Sequence, residues 1–126
     1  MAKTVLIVDD NPTIRRSLCE LFTQQVDFAI CGEAENGLQA IEKARQRKPD
    51  LIVLDLVMPG MNGLDVARVI NAMLPEVPMI LFTLHNDGLV QEQARSAGIA
   101  TVVSKSERGG LLIDKARSLL NGSEAA

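Results

Sequence analysis

The sequence predicts an α/β fold: a five-stranded parallel sheet with helices on both faces. Three observations lead there. Short apolar, β-rich runs alternate with stretches whose apolar residues recur at helical spacing, along all 126 residues. The run Leu51–Leu54 is continuously apolar, as a strand buried on both faces requires. Cap or turn chemistry stands between most of the runs, so strand and helix alternate in the manner of a parallel sheet with right-handed crossovers.

Taken in order, Thr4–Val8 reads as the first strand and stops at two aspartates. Asn11 then caps a helix with Pro12 at its first position, and Ile14, Leu18, Leu21 and Phe22 form its apolar stripe. Ala29–Ala34 is the second strand. Asn36 with Gln39 resembles a capping box, Leu38, Ile41 and Ala44 form the inward stripe of the helix it opens, and Pro49 ends it. Leu51–Leu54 is the third strand and runs into Asp55; Met58-Pro59-Gly60 is turn chemistry. Asn62 caps a helix with Leu64, Ala67 and Ile70 inward, closed off by Pro75 and Pro78. Met79–Phe82 is the fourth strand, ending at Thr83. Asp87–Ala97 is a weaker helix with Val90, Ala94 and Ala97 inward, stopped by Gly98. Thr101–Val103 is a short fifth strand ending near Lys105. The last helix runs from about Gly109 to Leu120, with Leu112, Ala116 and Leu119 inward. One domain over residues 1–121 and a flexible tail over 122–126 follow.

Composition excludes several function classes. At 47% hydrophobic and 23% charged, the chain is neither disordered nor a membrane protein. No apolar run approaches the roughly 18 residues of a membrane span. The run Val5–Val8 is too short for a signal-peptide core, so a cytoplasmic location is expected. A net charge of −3 with scattered basic residues argues against nucleic acid as a direct partner. Lys43, Arg45, Arg47 and Lys48 read as a solvated helix face. Cys19 and Cys31 match no metal spacing and read as buried or half-buried free thiols of a reducing compartment.

The polar residues at the strand ends carry the chemistry. The first strand stops at Asp9-Asp10, the third at Asp55, the fourth at Thr83 and the fifth at Ser104-Lys105. A parallel sheet puts these ends on one edge. With the strand order 2-1-3-4-5, a doubly wound arrangement of the flavodoxin-like kind, the first and third strands are neighbours where the order reverses, and ligands bind at that point. Converging carboxylates repel, by about 4 kcal/mol for a pair at about 4 Å and an effective dielectric near 20. A hard divalent cation such as Mg²⁺ offsets that cost, and a Lys ammonium offsets more. Carboxylates, a hydroxyl and an ammonium together suit phosphoryl transfer by positioning and charge neutralisation. An Asp can itself be the nucleophile and form an acyl phosphate.

These residues resemble the receiver domain of bacterial two-component response regulators, over roughly Thr4 to Leu120. The resemblance rests on LIVDD with Asp9 and Asp10, LIVLDLVMPGMNG around Asp55, MILFT ending at Thr83, and VVSK ending at Lys105. The MPGMNG turn and the Ser after the lysine are most similar to the LuxR/NarL-type subfamily, which carries a helix-turn-helix DNA-binding output.

The resemblance implies a flavodoxin-like (βα)5 fold and a signalling switch, an enzyme only toward its own phosphorylation and dephosphorylation. Asp55 would accept phosphate from a histidine kinase or a small donor. Asp10, Asp55 and the Val57 backbone carbonyl would hold Mg²⁺, with Asp9 acting through water. Lys105 would pair with Asp55 and then with the phosphoryl group. Thr83 would move inward to meet that group, reshaping the surface of helix 4, strand 5 and helix 5. Val57 and His85 occupy the positions that the family uses to tune phosphate loss, with a plain exposed loop histidine as the other reading of His85. DNA would be reached only through an output domain absent from this chain, and the subfamily likeness favours a piece of a DNA-binding regulator over a stand-alone receiver. Leu89 and Leu111 on the last two helices offer a homodimer or partner surface.

Two departures stand out. The family often has Pro, after a cis bond, where this chain has Ser106. Many members also carry Phe or Tyr where this chain has Val102, so the aromatic half of the usual relay is missing.

Three other readings compete. A flavin-binding electron carrier shares the strand order, but it needs a phosphate-binding loop where Asp9-Asp10 stand, and aromatics, which are 2% here. An Asp-nucleophile, metal-dependent phosphatase usually has Asp-x-Asp after the first strand and an inserted cap, for which this chain has no room. A receiver fold serving as a docking module, not switched by phosphate, is the third, and Val102 is its main support.

Overall fold

Five parallel strands form one sheet in the order β2-β1-β3-β4-β5: β1 (Lys3–Val8), β2 (Phe28–Ala34), β3 (Leu51–Leu54), β4 (Met79–Thr83) and β5 (Thr101–Ser104). The structure is a computed structural model and describes residues 2–84 and 87–125, with only the backbone given for 122–125. The connecting helices are α1 (Pro12–Thr23), α2 (Gly37–Arg47), α3 (Gly63–Met73), α4 (Gly88–Ser96) and α5 (Gly109–Ala125). This is the flavodoxin-like doubly wound arrangement expected from the sequence.

Alternation along the strands builds two cores. Successive side chains of a strand point to opposite faces. Leu6, Val8, Ile52, Leu54, Met79 and Leu81 therefore pack on one face, against α2, α3 and α4. Val5, Ile7, Leu51, Val53, Ile80 and Val103 pack on the other, against α1 and α5. Leu6, Ile7, Ile52 and Leu81 are wholly buried, and each contributes about 1.5–3 kcal/mol by leaving water. On the α1/α5 face Phe22 and Phe28 meet edge to face, their ring centroids 5.1 Å apart, a geometry the ring quadrupoles favour.

The caps fall where the sequence puts them. The Asn11, Asn36, Asn62 and Asp87 side chains accept the free amides that open α1 to α4. Gln39 Oε1 reaches back one residue past the cap and accepts the Glu35 amide at 3.0 Å. Gly98 ends α4 at φ +91, a left-handed conformation that side chains disfavour.

Two elements differ from expectation, and one open point is settled. The inward face of α2 is Gly37, Ala40 and Ala44, and Leu38 is 75% exposed. The cause is close packing: a Cβ at Gly37 would lie 2.8 Å from Val66 Cγ2, so small residues, not Leu38, meet α3. α5 continues past Leu120 to Ala125; a lone Gly122 costs a helix only about 1 kcal/mol. The Lys105–Ser106 peptide, where the resemblance raised a cis bond, is trans. Cys19 and Cys31 are free and half-buried, as expected.

In β2 the pairing to β1 skips a residue between Val5↔Ile30 and Leu6↔Gly32, leaving Cys31 as a bulge. The corrected register brings Ala34 beside Val8, where its carbonyl accepts the Asp9 amide at 3.0 Å. The edge strand thereby fixes the start of the acidic segment.

Candidate functional site: an acidic cluster bridged by a lysine

Four backbone hydrogen bonds fix the carboxyl edge of the sheet. The Asp9 amide donates to Ala34 O, the Asp55 amide to Val8 O at 3.0 Å, the Lys105 amide to Thr83 O at 2.9 Å, and the Gly63 amide to Leu56 O at 2.7 Å. The first three continue strand pairings, so the side chains at these positions inherit the rigidity of the sheet, and the fourth ties the start of α3 to the loop after β3. The strand-end residues named from the sequence therefore do share one edge.

The carboxylates converge there. One oxygen from each of Asp9, Asp10 and Asp55 lies within 4.8 Å of the others. Asp9 is 1% and Asp55 7% exposed, while Asp10 is exposed to solvent. Asp9 uses both oxygens: Oδ1 accepts the Asn11 amide at 2.9 Å and Oδ2 meets Lys105 Nζ at 3.0 Å. Asp55 Oδ1 accepts the Leu56 amide at 2.8 Å and lies 3.3 Å from the same Nζ. Lys105 was expected to pair with Asp55. It bridges Asp55 and Asp9, with the shorter approach to Asp9.

The charges do not balance. Among the described residues, three carboxylates against one ammonium leave two net negative charges at the cluster. At 4.8 Å each carboxylate pair repels by about 3 kcal/mol at an effective dielectric near 20. Burial first, then the Asp9 charge, push the Asp55 carboxyl above the usual carboxylate range, against the pull of Lys105. The donor set is all oxygen, one carboxylate opens to solvent, and the charge deficit is two. That combination fits a hard divalent cation that keeps part of its water shell. Asp10, Asp55 and Asp9 would hold it.

The other residues named from the sequence lie on β4, β5, α4, α5 and the loop after β3. Thr83 ends β4, buried, opposite Ser104 of β5. Val57 is 58% exposed in the loop after Asp55. Val102 is half-buried against the α2/α3/α4 core. Leu89 and Leu111 are both exposed. His85 lies outside the described residues.

Two contributors were missed by sequence reasoning. A Cβ on Gly63 would stand 2.1 Å from the Asp55 carbonyl oxygen, so the first turn of α3 lies directly on the Asp55 backbone. The signal was present in Asn62-Gly63: Asn already caps the helix, and a Gly at the next position has another reason. Arg15, on α1, donates from Nη1 to the Asp9 carbonyl at 2.8 Å; nothing in the local pattern marks it.

Among the described residues no helix is long and apolar enough to cross a membrane. The family model for the response regulator receiver domain matches residues 5–117. The nitrate/nitrite response regulator protein NarL of Escherichia coli (strain K12) is 34% identical over 111 residues, covering 88% of this chain and 48% of that protein. A protein-glutamate methylesterase/protein-glutamine glutaminase of Pyrococcus abyssi is 40% identical over 92 residues, covering 73% of this chain and 24% of that protein. The chain thus spans about half or less of the length of these curated relatives, 48% and 24%. A crystal structure of a LuxR-family two-component response regulator from Aurantimonas sp. SI85-9A1 superposes with a TM-score of 0.92 at 27% identity, covering 97% of this chain and 87% of that one. With nearly the whole sheet and its acidic edge inside the matched span, the chain belongs to the response regulator receiver domain family.

Proposed function

We propose that this receiver is switched by phosphorylation of Asp55. The observation that carries the reading is the acidic cluster itself, with one ammonium bridging Asp9 and Asp55 at 3.0 and 3.3 Å. An Asp55 oxygen attacks the phosphorus of a phosphohistidine on a sensor histidine kinase, or of a small acyl phosphate. The bond from phosphorus to the donor nitrogen or oxygen breaks, and the leaving group keeps the electron pair. Asp10, Asp55 and the Val57 carbonyl would hold Mg²⁺, with Asp9 acting through water, and the ion would supply charge neutralisation for the incoming phosphoryl oxygens. Lys105 follows the charge, from the carboxylates to a phosphoryl oxygen. Thr83 donates its hydroxyl to another. Val57 and His85 tune how long the phosphoryl group survives. The small side chain of Val102 limits how far the change spreads across α4, β5 and α5.

The product is a modified protein, not a released one, so the chain is a switch that acts only on itself. Its setting would be the cytoplasm, its input a sensor kinase, and its output DNA binding through a further domain, with a homodimer at Leu89 and Leu111 as one form of the activated surface. A docking module not switched by phosphate is the second reading, favoured by Val102 in place of an aromatic. Acetyl phosphate with Mg²⁺ separates the two by intact mass. A single phosphoryl addition, lost with EDTA and absent from Asp55→Ala, is the expected result. No addition, or equal addition to both proteins, would overturn the proposal.

A further inference from the structure

Arg15 is half-buried on the second turn of α1, outside the acidic cluster, and it holds the backbone on which that cluster is built. Its Nη1 donates to the Asp9 carbonyl at 2.8 Å. Its Nε donates to Glu33 Oε1 at 3.1 Å, with only 18% of the arginine side chain exposed. A guanidinium is planar and presents its donors in a rigid fork, so two fixed acceptors fix its plane. The Asp9 carbonyl belongs to the peptide between Asp9 and Asp10. Every other polar group of Asp9 is held too: the amide by Ala34, one carboxylate oxygen by Asn11 and the other by Lys105. Asp10 differs, because it is exposed. Arg15 holds the peptide before it through the Asp9 carbonyl, and so constrains the backbone from which the Asp10 carboxylate reaches the cluster.

We propose that Arg15 is a positioning residue for the acidic pair, with Glu33 of β2 as its anchor, and that it sets the affinity of the cluster for a divalent cation. The inference rests on the phosphoryl-switch reading above and deepens it. α1 and the edge strand β2 become part of the site: Arg15 ties the one, Glu33 the other, and Lys43 of α2 donates to the Glu33 carbonyl behind them. Groups that orient a metal's ligands from outside typically change its affinity by about 10-fold to 100-fold when removed.

The test is binding of Mg²⁺ alone to the ¹⁵N-labelled full chain, followed by backbone amide shifts. Thermal midpoints in EDTA and acetyl phosphate rates across Mg²⁺ concentration are measured beside it. Arg15→Met is expected to raise the Mg²⁺ dissociation constant about tenfold. It should raise the Mg²⁺ needed for half-maximal phosphorylation more than it lowers the maximal rate. Arg15→Lys, which keeps charge but not the fork, should recover only part of the affinity. Glu33→Gln leaves Arg15 in place with a weaker anchor and should lie between native and Arg15→Met. A purely structural role would lower the thermal midpoint and leave the dissociation constant within about twofold of native; that result in Arg15→Met overturns the proposal. If Arg15→Met does not fold, Glu33→Gln decides, and an unchanged dissociation constant there overturns it equally. Native protein that binds no Mg²⁺ sinks the phosphoryl-switch reading and this inference with it. Native binding with unchanged variants sinks this inference alone.

Discussion

Replacing Lys105 with Met removes the one ammonium that lies between Asp9 and Asp55 and keeps the volume of the side chain. At 3.0 and 3.3 Å, each attraction is worth about 5 kcal/mol at an effective dielectric near 20. Most of that is offset by the cost of taking Lys105 itself out of water, and Asp55 escapes part of the rest by protonating. Breaking a buried ion pair by removing one partner leaves about 3 kcal/mol of net loss. For a domain of this size that corresponds to a thermal midpoint lower by about 10 °C. Far-UV circular dichroism melts in EDTA measure it. The same melts in saturating Mg²⁺ add a second reading: a divalent cation offers the carboxylates the charge they lost, so Lys105→Met gains more from Mg²⁺ than native protein does. A midpoint within about 2 °C of native in EDTA, or equal gains from Mg²⁺, would refute the claim that Lys105 balances this cluster.

Other consequences follow from the same geometry. Because burial and Asp9 raise the Asp55 carboxyl above its unfolded value, the folded, metal-free protein binds the extra proton, so this group's contribution to stability falls as pH rises through that window; melts in EDTA across acidic pH should show this slope in native protein and lose it in Asp55→Asn. Gly63→Ala drives a methyl group into the Asp55 carbonyl at 2.1 Å and should cost about 3 kcal/mol in denaturant unfolding, with weaker Mg²⁺ binding; an unchanged midpoint would contradict the close approach. Val57, apolar and exposed, cannot orient an attacking water, so Val57→Asn should shorten the phosphoryl half-life several-fold, and equal half-lives would sink that role. Burial, with Glu33 behind it, pushes the Cys19 thiol up to about 11; only about one thiol in a thousand is then thiolate at pH 8, and alkylation should be far slower in native than in unfolded protein.

Much of this was legible in the sequence because of where polarity interrupts apolar runs. Asp9, Asp10, Asp55, Thr83 and Lys105 each end a strand, and a parallel sheet must bring such ends to one edge. Register and partner choice were not legible. Whether Lys105 faces Asp55 alone or bridges to Asp9 depends on the turn after β5, where the trans Lys105–Ser106 link and the Ser104–Ser106 hydroxyl contact at 2.7 Å shape the chain. On α2 only Leu38 departs from expectation: Ile41 and Ala44 do pack on the core, but the stripe that meets α3 is Gly37, Ala40 and Ala44. Which stripe is buried depends on how closely α3 approaches, and that is a property of the assembled fold. Arg15 carries no local signal at all, since its partner Glu33 lies 18 residues away on another element.

The central claim is that Asp55, not its acidic neighbours, takes the phosphoryl group. Borohydride reduction of the acetyl-phosphate-treated, Mg²⁺-containing protein converts an acyl phosphate to an alcohol at the modified carboxyl, and peptide mass spectrometry then locates it. Reduction at residue 55 alone, dependent on Mg²⁺, is the expected result. Reduction at Asp9 or Asp10, or none in a protein that binds Mg²⁺, would contradict it.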